Sequence, residues 1–248
     1  MEPRRKLKLL PRRAYRDVRL TDPLRFYFLP FFRTLYQRRV ELCLTECRAG
    51  GRVLDVGFGS GVTFPNLDEL YDEIYGIDSC ARADEVAEAF AELGIETHLR
   101  KGNLLDLPYR EAFFDTVLLV SVLEHLRPVE LPRALREIHR VLKPGGQMVY
   151  GVPVERPLMV LAFRVLGYNI REHHFSTEQE IGAEAREHLA EVRMSTMSFP
   201  LCGKIYEVRH FLKTPGQAGQ TNFSLRMARK TVRARSSPSR KRRISMSP

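Results

Sequence analysis

Residues 53–61 read VLDVGFGSG, and the reading of this stretch decides the fold. Val53–Val56 is a short apolar run suited to a strand buried on both faces, with one acid, Asp55, inside it. Three glycines follow at alternate positions, Gly57, Gly59 and Gly61. Glycine has no Cβ, so the chain can turn tightly there and a ligand can approach the main chain. A strand, a glycine loop and a following helix together make a cradle for a nucleotide-type ligand. The spacing separates it from a dinucleotide site. A G-x-G-x-x-G fingerprint would put its third glycine at position 62, which is Val62. A dinucleotide oxidoreductase therefore comes last among the readings.

Further segments follow in order. EIYGIDSC (73–80) is a second apolar run ending in an acid, Asp78. KGNLLDLPY (101–109) precedes FFDTVLLVSVLEHL (113–126), and REIHRVLKPGGQMVY (136–150) is a helix stopped at Pro144-Gly145-Gly146 before another strand. Over roughly residues 50–152 this succession resembles the class I S-adenosylmethionine-dependent methyltransferases, in their type-11-like form. Asp55 to Gly61 matches the family's D/E-x-G-x-G-x-G motif.

The resemblance implies S-adenosylmethionine as cofactor, with Asp55, Gly57, Phe58, Gly59, Gly61, Asp78, Asn103, Leu104 and Ser121 around it. In the family an acid at the end of the second strand holds both ribose hydroxyls, since a carboxylate offers acceptors to two adjacent O–H donors. Asp78 takes that role by the match. The bland alternative is an acid that caps the next helix, because Asp78 and Ser79 are both good N-caps. Asn103 departs from the pattern: it stands where an acid commonly meets the adenine amino group, and an amide accepts without adding charge.

Strands alternating with helices predict a mostly parallel sheet. The strands are expected at Val53–Val56, Glu73–Ile77, Glu96–Arg100, Thr116–Val120 and Gln147–Val152, with helices at Ala81–Leu93 and Leu131–Leu142. The family adds a final pair near Glu191–Ser198 and Lys204–Leu212. The expected fold is α/β: a Rossmann-like, seven-stranded, mostly parallel sheet with helices on both faces and a final antiparallel hairpin strand. Residues 1–20 read as a basic flexible arm and 21–49 as an N-terminal helical cap. Residues 50–213 form the methyltransferase domain, with an apolar insert at 156–168 after the fifth strand. Residues 214–248 form a basic tail whose composition predicts disorder. Thr177 and Glu180 make a capping box for a late helix.

The chain has 248 residues and a net charge of +10. That charge sits at the ends: residues 1–19 carry +6 and 221–248 carry +9, which leaves −5 on the body between them. Basic ends attract phosphate-rich surfaces, whether nucleic acid or anionic lipid. The four cysteines, Cys43, Cys47, Cys80 and Cys202, form no disulfide framework, so a reducing cytoplasm is expected. Cys43 and Cys47 read as buried thiols; they have no companion pair for zinc. No apolar run approaches the ~20 residues needed to cross a bilayer, and the first twenty residues lack the apolar core of a signal peptide.

Methyl transfer is an in-line displacement at an already activated sulfonium carbon, so the protein's main work is binding and alignment. A base is needed only where the acceptor holds its proton firmly. His125, His174 and Tyr168 are the candidate catalytic residues, because they follow strand ends or the insert. Glu124-His125 resembles a metal pair of ubiquinone-type O-methyltransferases, but the acid expected three positions earlier is Ser121, so no metal is predicted. RFYFLPFFRTLYQRR (25–39) crowds six aromatics among arginines. It reads as a helix packing its rings on the sheet, as a lid over an apolar acceptor, or as a segment dipping into lipid headgroups. The preferred reading is methyl transfer to a small, lipophilic acceptor, with peripheral contact to an anionic membrane. An RNA or protein methyltransferase using the basic tails, and a non-catalytic methyltransferase-like binding protein, are the alternatives.

Overall fold

The computed structural model describes residues 4–16, 23–30, 32–154, 174–199 and 203–214. The apolar insert with Tyr168, together with Phe31, His173, Cys202 and the basic tail, lies outside them. Helices α1 (Leu24–Phe28) and α2 (Arg33–Glu46) precede strand β1 (Gly50–Val56). The short helix α3 (Phe64–Leu67), β2 (Tyr71–Asp78), α4 (Ala83–Ala91) and β3 (Thr97–Lys101) come next. β4 (Phe114–Val120), α5 (Leu131–Val141) and β5 (Leu142–Pro153) complete the parallel half. Helix α6 (Glu178–His188), β6 (Ala190–Phe199) and β7 (Gly203–Leu212) follow.

The seven strands form one sheet in the order β3-β2-β1-β4-β5-β7-β6. β1 to β5 pair in parallel, and β7 lies antiparallel between β5 and β6. The α/β fold expected from the sequence is thus observed, and each expected strand is present.

A parallel sheet buries both faces, so its strands are apolar at successive positions. Leu54, Val56, Val117, Leu119, Met148 and Tyr150 face one layer, closed by Leu131, Leu135 and Ile138 of α5 and Ile181 and Ala185 of α6. Val53, Ile74, Leu118 and Val149 face the other, closed by Val40, Cys43 and Leu44 of α2 and Val86 and Phe90 of α4. Cys43 and Cys47 are fully buried in that second layer, as expected.

Three local features differ from expectation. First, α5 ends at Val141, and Pro144-Gly145-Gly146 falls inside β5 rather than before it. The β4–β5 register breaks between Phe114 and Thr116 to absorb the extra residues. A Cβ on Gly146 would lie 2.9–3.2 Å from three carbonyl oxygens, so the bulge requires glycine there. Second, residues 4–16 are held on the body, not left as a flexible arm. Lys8 N donates to Asn66 Oδ1 at 2.8 Å, and Asn66 Nδ2 donates back to Lys6 O at 3.0 Å. Arg5 donates to Leu44 O at 2.8 Å and to Cys47 O, placing a cation at the carbonyl end of α2. Tyr15 is buried with its ring 6.1 Å from Phe90. Third, the aromatics of 25–39 mostly meet each other: Phe26 stacks on Tyr36 at 4.9 Å and Phe28 lies 6.3 Å from Tyr15. Leu29 is left exposed.

Gly61 and Gly94 both have positive φ, 77° and 80°. A Cβ on Gly61 would meet Phe64 at 2.6 Å and Phe90 at 2.7 Å, whereas one on Gly94 meets nothing within 4 Å. Gly94→Ala is therefore expected to cost only the left-handed strain, about 1–2 kcal/mol. Gly61→Ala should add crowding of about 1–3 kcal/mol. Urea unfolding of both variants checks this, and equal losses would refute the crowding.

Candidate donor site at the strand reversal

The chain builds outward from β1 to β3, then returns to place β4 on the other side of β1. Loops leaving the carboxyl ends of β1 and β4 therefore diverge, and ligands of open α/β sheets bind in the crevice between them. The glycine loop leaves β1 at this point. Gly57, Gly59 and Gly61 all have positive φ, at 73°, 53° and 77°. Gly57 N is tied to Ile77 O at 2.7 Å, and Gly61 N closes a turn on Phe58 O at 2.8 Å. Gly57 is exposed and Gly59 half-buried, so the main chain of this loop faces the crevice.

Asp78 ends β2 beside this loop. Its Oδ2 accepts from Gly59 N at 3.1 Å, and its Oδ1 accepts from Cys80 N at 2.7 Å and Ala81 N at 2.8 Å. The carboxylate thus acts as a turn cap, the bland reading, and as a brace for the glycine loop. Two carboxylate oxygens offer about four lone-pair sites, and three amides engage them, so acceptor capacity remains on Oδ2.

Asp55 is 2% exposed and accepts from Thr63 Oγ1. Burial pushes its carboxyl up to about 7; the Thr63 hydroxyl lowers it and the charge of Asp78 raises it further. Asp55 therefore braces the loop from beneath. The Phe58 ring is also buried, 6.0 Å from the Phe64 ring, so only its main chain is available to a ligand. Leu104 is buried in the core. Asn103 is exposed, and its Oδ1 accepts from Leu105 N at 2.9 Å, closing a turn.

Across the crevice, Ser121 follows β4 with φ 58°. Its Oγ lies 3.1 Å from Tyr206 Oη. The reversed backbone leads into a 3-10 turn, Leu123–His125. Residues 174–176 run against that turn: Phe175 N donates to Glu124 O at 2.8 Å, and Ser176 Oγ to Leu126 O at 2.6 Å. His174 is thereby brought to His125, with ring centroids 5.3 Å apart. One ligand atom from each of Glu124, His125 and His174 lies within 4.8 Å of the others. Glu124 is 2% exposed, and burial pushes its carboxyl up to about 8. Sequence reasoning named both histidines but did not foresee that they meet. Tyr206 was not singled out, and nothing near it in the sequence pairs it with Ser121. Arg39 also escaped notice; its guanidinium lies 4.0 Å from the Tyr36 ring centroid and 5.5 Å from that of Tyr206.

An acid whose folded pKa exceeds its unfolded one contributes stability that is intact below the unfolded value and lost as pH rises through the folded one. Between about pH 4 and 7 the wild type should therefore lose stability relative to Asp55→Asn, at up to about 1.4 kcal/mol for each pH unit, and level off above pH 7. Parallel pH profiles of chemical denaturation for the two proteins would contradict this.

Residues 54–150 match the family described as a methyltransferase domain. The "Uncharacterized methyltransferase YcgJ" of Bacillus subtilis is 36% identical over 106 residues, 42% of this chain and 41% of the relative. The "Probable tRNA methyltransferase 9B" of Bos taurus is 31% identical over 124 residues, 48% of this chain and 26% of the relative. A ubiquinone biosynthesis O-methyltransferase of Methylocella silvestris is 33% identical over 119 residues, 48% of this chain and 45% of the relative. The chain thus spans less than half the length of each of these relatives. Among solved structures, N-methyltransferase NodS of Bradyrhizobium japonicum, crystallised with S-adenosyl-L-homocysteine, has a TM-score of 0.60 at 20% identity, covering 79% of this chain and 93% of its own. That likeness is one of fold. Motif order, strand order and family match agree that residues 54–150 form a methyltransferase domain.

Proposed function

We propose that the chain transfers the methyl group of S-adenosylmethionine to a small, lipophilic acceptor. The observation that carries the donor half is the meeting of Asp78 with Gly59 N at the strand reversal, 3.1 Å apart. In this reading, Asp78 keeps the glycine loop open and offers its remaining acceptor capacity to the ribose. The main chain of Gly57 to Gly61 runs along the donor, Asn103 and Leu104 border the adenine, and Ser121 flanks the sulfonium side. Asp55 works through Thr63 and the loop.

The acceptor half rests on the residues gathered around Ser121 and Tyr206. The half-buried Tyr36 ring lies against Arg39, whose guanidinium also lies over the buried Tyr206 ring, and His125 meets His174. Aromatic faces suit an apolar or planar acceptor, and a guanidinium among rings suits one that also carries oxygen. His125 and His174 then act on the acceptor's proton, and the same role is proposed for Tyr168. The basic ends supply attraction to an anionic membrane surface from which a lipophilic acceptor is drawn. Among the described residues, no helix is long and apolar enough to cross a membrane.

Two measurements test this. In calorimetric titration of the full chain with S-adenosyl-L-homocysteine, Asp78→Asn should weaken binding by about 1.5–3 kcal/mol, the range for a hydrogen bond to a charged group. Unchanged affinity would remove Asp78 from the site. Separately, methyl-labelled donor is incubated with the chain and a cell extract, which is then divided into organic-soluble, RNA and protein fractions. Label is expected in the organic-soluble fraction and lost in His125→Ala and His174→Ala, by roughly 10²–10⁴-fold. Label confined to RNA or protein would establish a polymer substrate for the basic tails, and donor binding with no label anywhere would establish a binding protein.

A further inference from the structure

We propose that Glu124, His125 and His174 form a binding site for one divalent first-row transition cation, of the zinc or manganese class, at the acceptor end of the crevice. The sequence spoke against a metal because Ser121 stands where an acid was expected. The structure gives Ser121 other work, its hydroxyl lying 3.1 Å from Tyr206 Oη. The third ligand comes instead from His174, far along the chain.

Three observations carry the inference. The first is geometric: the three ligand atoms lie within 4.8 Å of one another. Ligands about 2.0–2.2 Å from a shared ion stand closer together than this, so small side-chain rotations suffice to converge them. The second is an unmet polar atom. Glu124 is 2% exposed, and its Oε2 has no hydrogen-bond partner. Leaving such an atom buried and unpaired costs about 1–3 kcal/mol. The Arg39 charge favours the ionised carboxylate, but it does not bond Oε2. A bound cation would satisfy that oxygen directly. The third is construction. Two main-chain hydrogen bonds to Glu124 O, from Phe175 N at 2.8 Å and Ser176 N at 3.3 Å, and one from Ser176 Oγ to Leu126 O at 2.6 Å, clamp both segments in register. The clamp holds the ligands on ordered backbone.

The donor set points to the ion. Two imidazoles and one carboxylate suit zinc, manganese, iron or cobalt, whereas calcium and magnesium prefer oxygen throughout. Three protein ligands leave coordination positions open to water or to an acceptor oxygen. His125 is exposed and His174 half-buried, so those positions face solvent and the crevice. The cation site stands on this geometry alone. Its service to an acceptor rests on the methyltransferase reading: a bound ion would hold the acceptor oxygen and ease loss of its proton, so that the two imidazoles act on that proton through the ion.

The full chain, stripped with a chelator and dialysed, is titrated with Zn²⁺ alone by calorimetry and with Co²⁺ alone by visible absorption. One equivalent is expected to bind, with the Co²⁺ ligand-field bands of a nitrogen–oxygen site. Glu124→Gln, which keeps the side chain's size, and His125→Ala, at an exposed position, should each lower affinity at least ~100-fold, beyond the range for losing a supporting group around a metal. His98→Ala, at a histidine that packs against Tyr75, should change nothing. S-adenosyl-L-homocysteine is titrated into the same samples. No stoichiometric ion, or ion binding indifferent to Glu124→Gln and His125→Ala, overturns the proposal, and the methyltransferase reading survives if the homocysteine ligand still binds. Stoichiometric ion lost in those variants upholds the site even where the homocysteine ligand fails to bind, which would fell the methyltransferase reading instead.

Discussion

The carboxylate of Asp78 and the amide of Gly59 share one hydrogen bond across the end of the sheet, and the crevice depends on it. β1 must release its chain without closing over the strand end. Three left-handed glycines allow that turn, but a loop of glycines has no side chains to fix its shape. The fixing comes from outside: Ile77 O takes Gly57 N, Asp78 takes Gly59 N, and Asp55 holds Thr63 beyond the loop. The second strand thus governs the loop after the first. That is possible because β1 and β2 pair in parallel, with Val56 beside Ile77, so their carboxyl ends coincide.

The same end of the sheet gathers costly groups. Asp55 and Glu124 are both nearly inaccessible, and both carboxyls are pushed toward neutral pH by burial. Ser121 adopts a left-handed backbone that a non-glycine residue seldom takes. Buried acids and strained residues gather where a fold gives up stability for a site. The opposite end of the sheet is conventional by comparison: there Asp115 accepts from Lys143 and from Arg52 N, a partly exposed arrangement that fastens the bulge in β5.

Much of this was legible in the chain. The short apolar runs Val53–Val56 and Thr116–Val120, the three glycines and the position of Asp78 pointed, through the family resemblance, to the parallel sheet and its glycine-loop cradle, because these features are local. The capping box at Thr177 and Glu180 is present for the same reason. The approach of His174 to His125 was not legible, since it is made by backbone hydrogen bonds between segments distant in sequence. Residues 4–16 misled because their charge resembles that of a solvated arm. Their order rests on particular acceptors, Asn66 Oδ1 and the carbonyls ending α2, which composition does not reveal. Phe58 sits in the motif yet turns inward, since Gly76 of β2 leaves room for its ring.

The account turns on the glycine loop and the Asp78 turn forming one donor cradle. Backbone amide resonances of the full chain, followed by heteronuclear NMR as S-adenosyl-L-homocysteine is added, test this most directly. The account predicts the largest and saturable shifts at Gly57, Gly59 and Gly61 together with Cys80 and Ala81. Saturable shifts confined to other parts of the sheet, with these five amides unmoved, would contradict it.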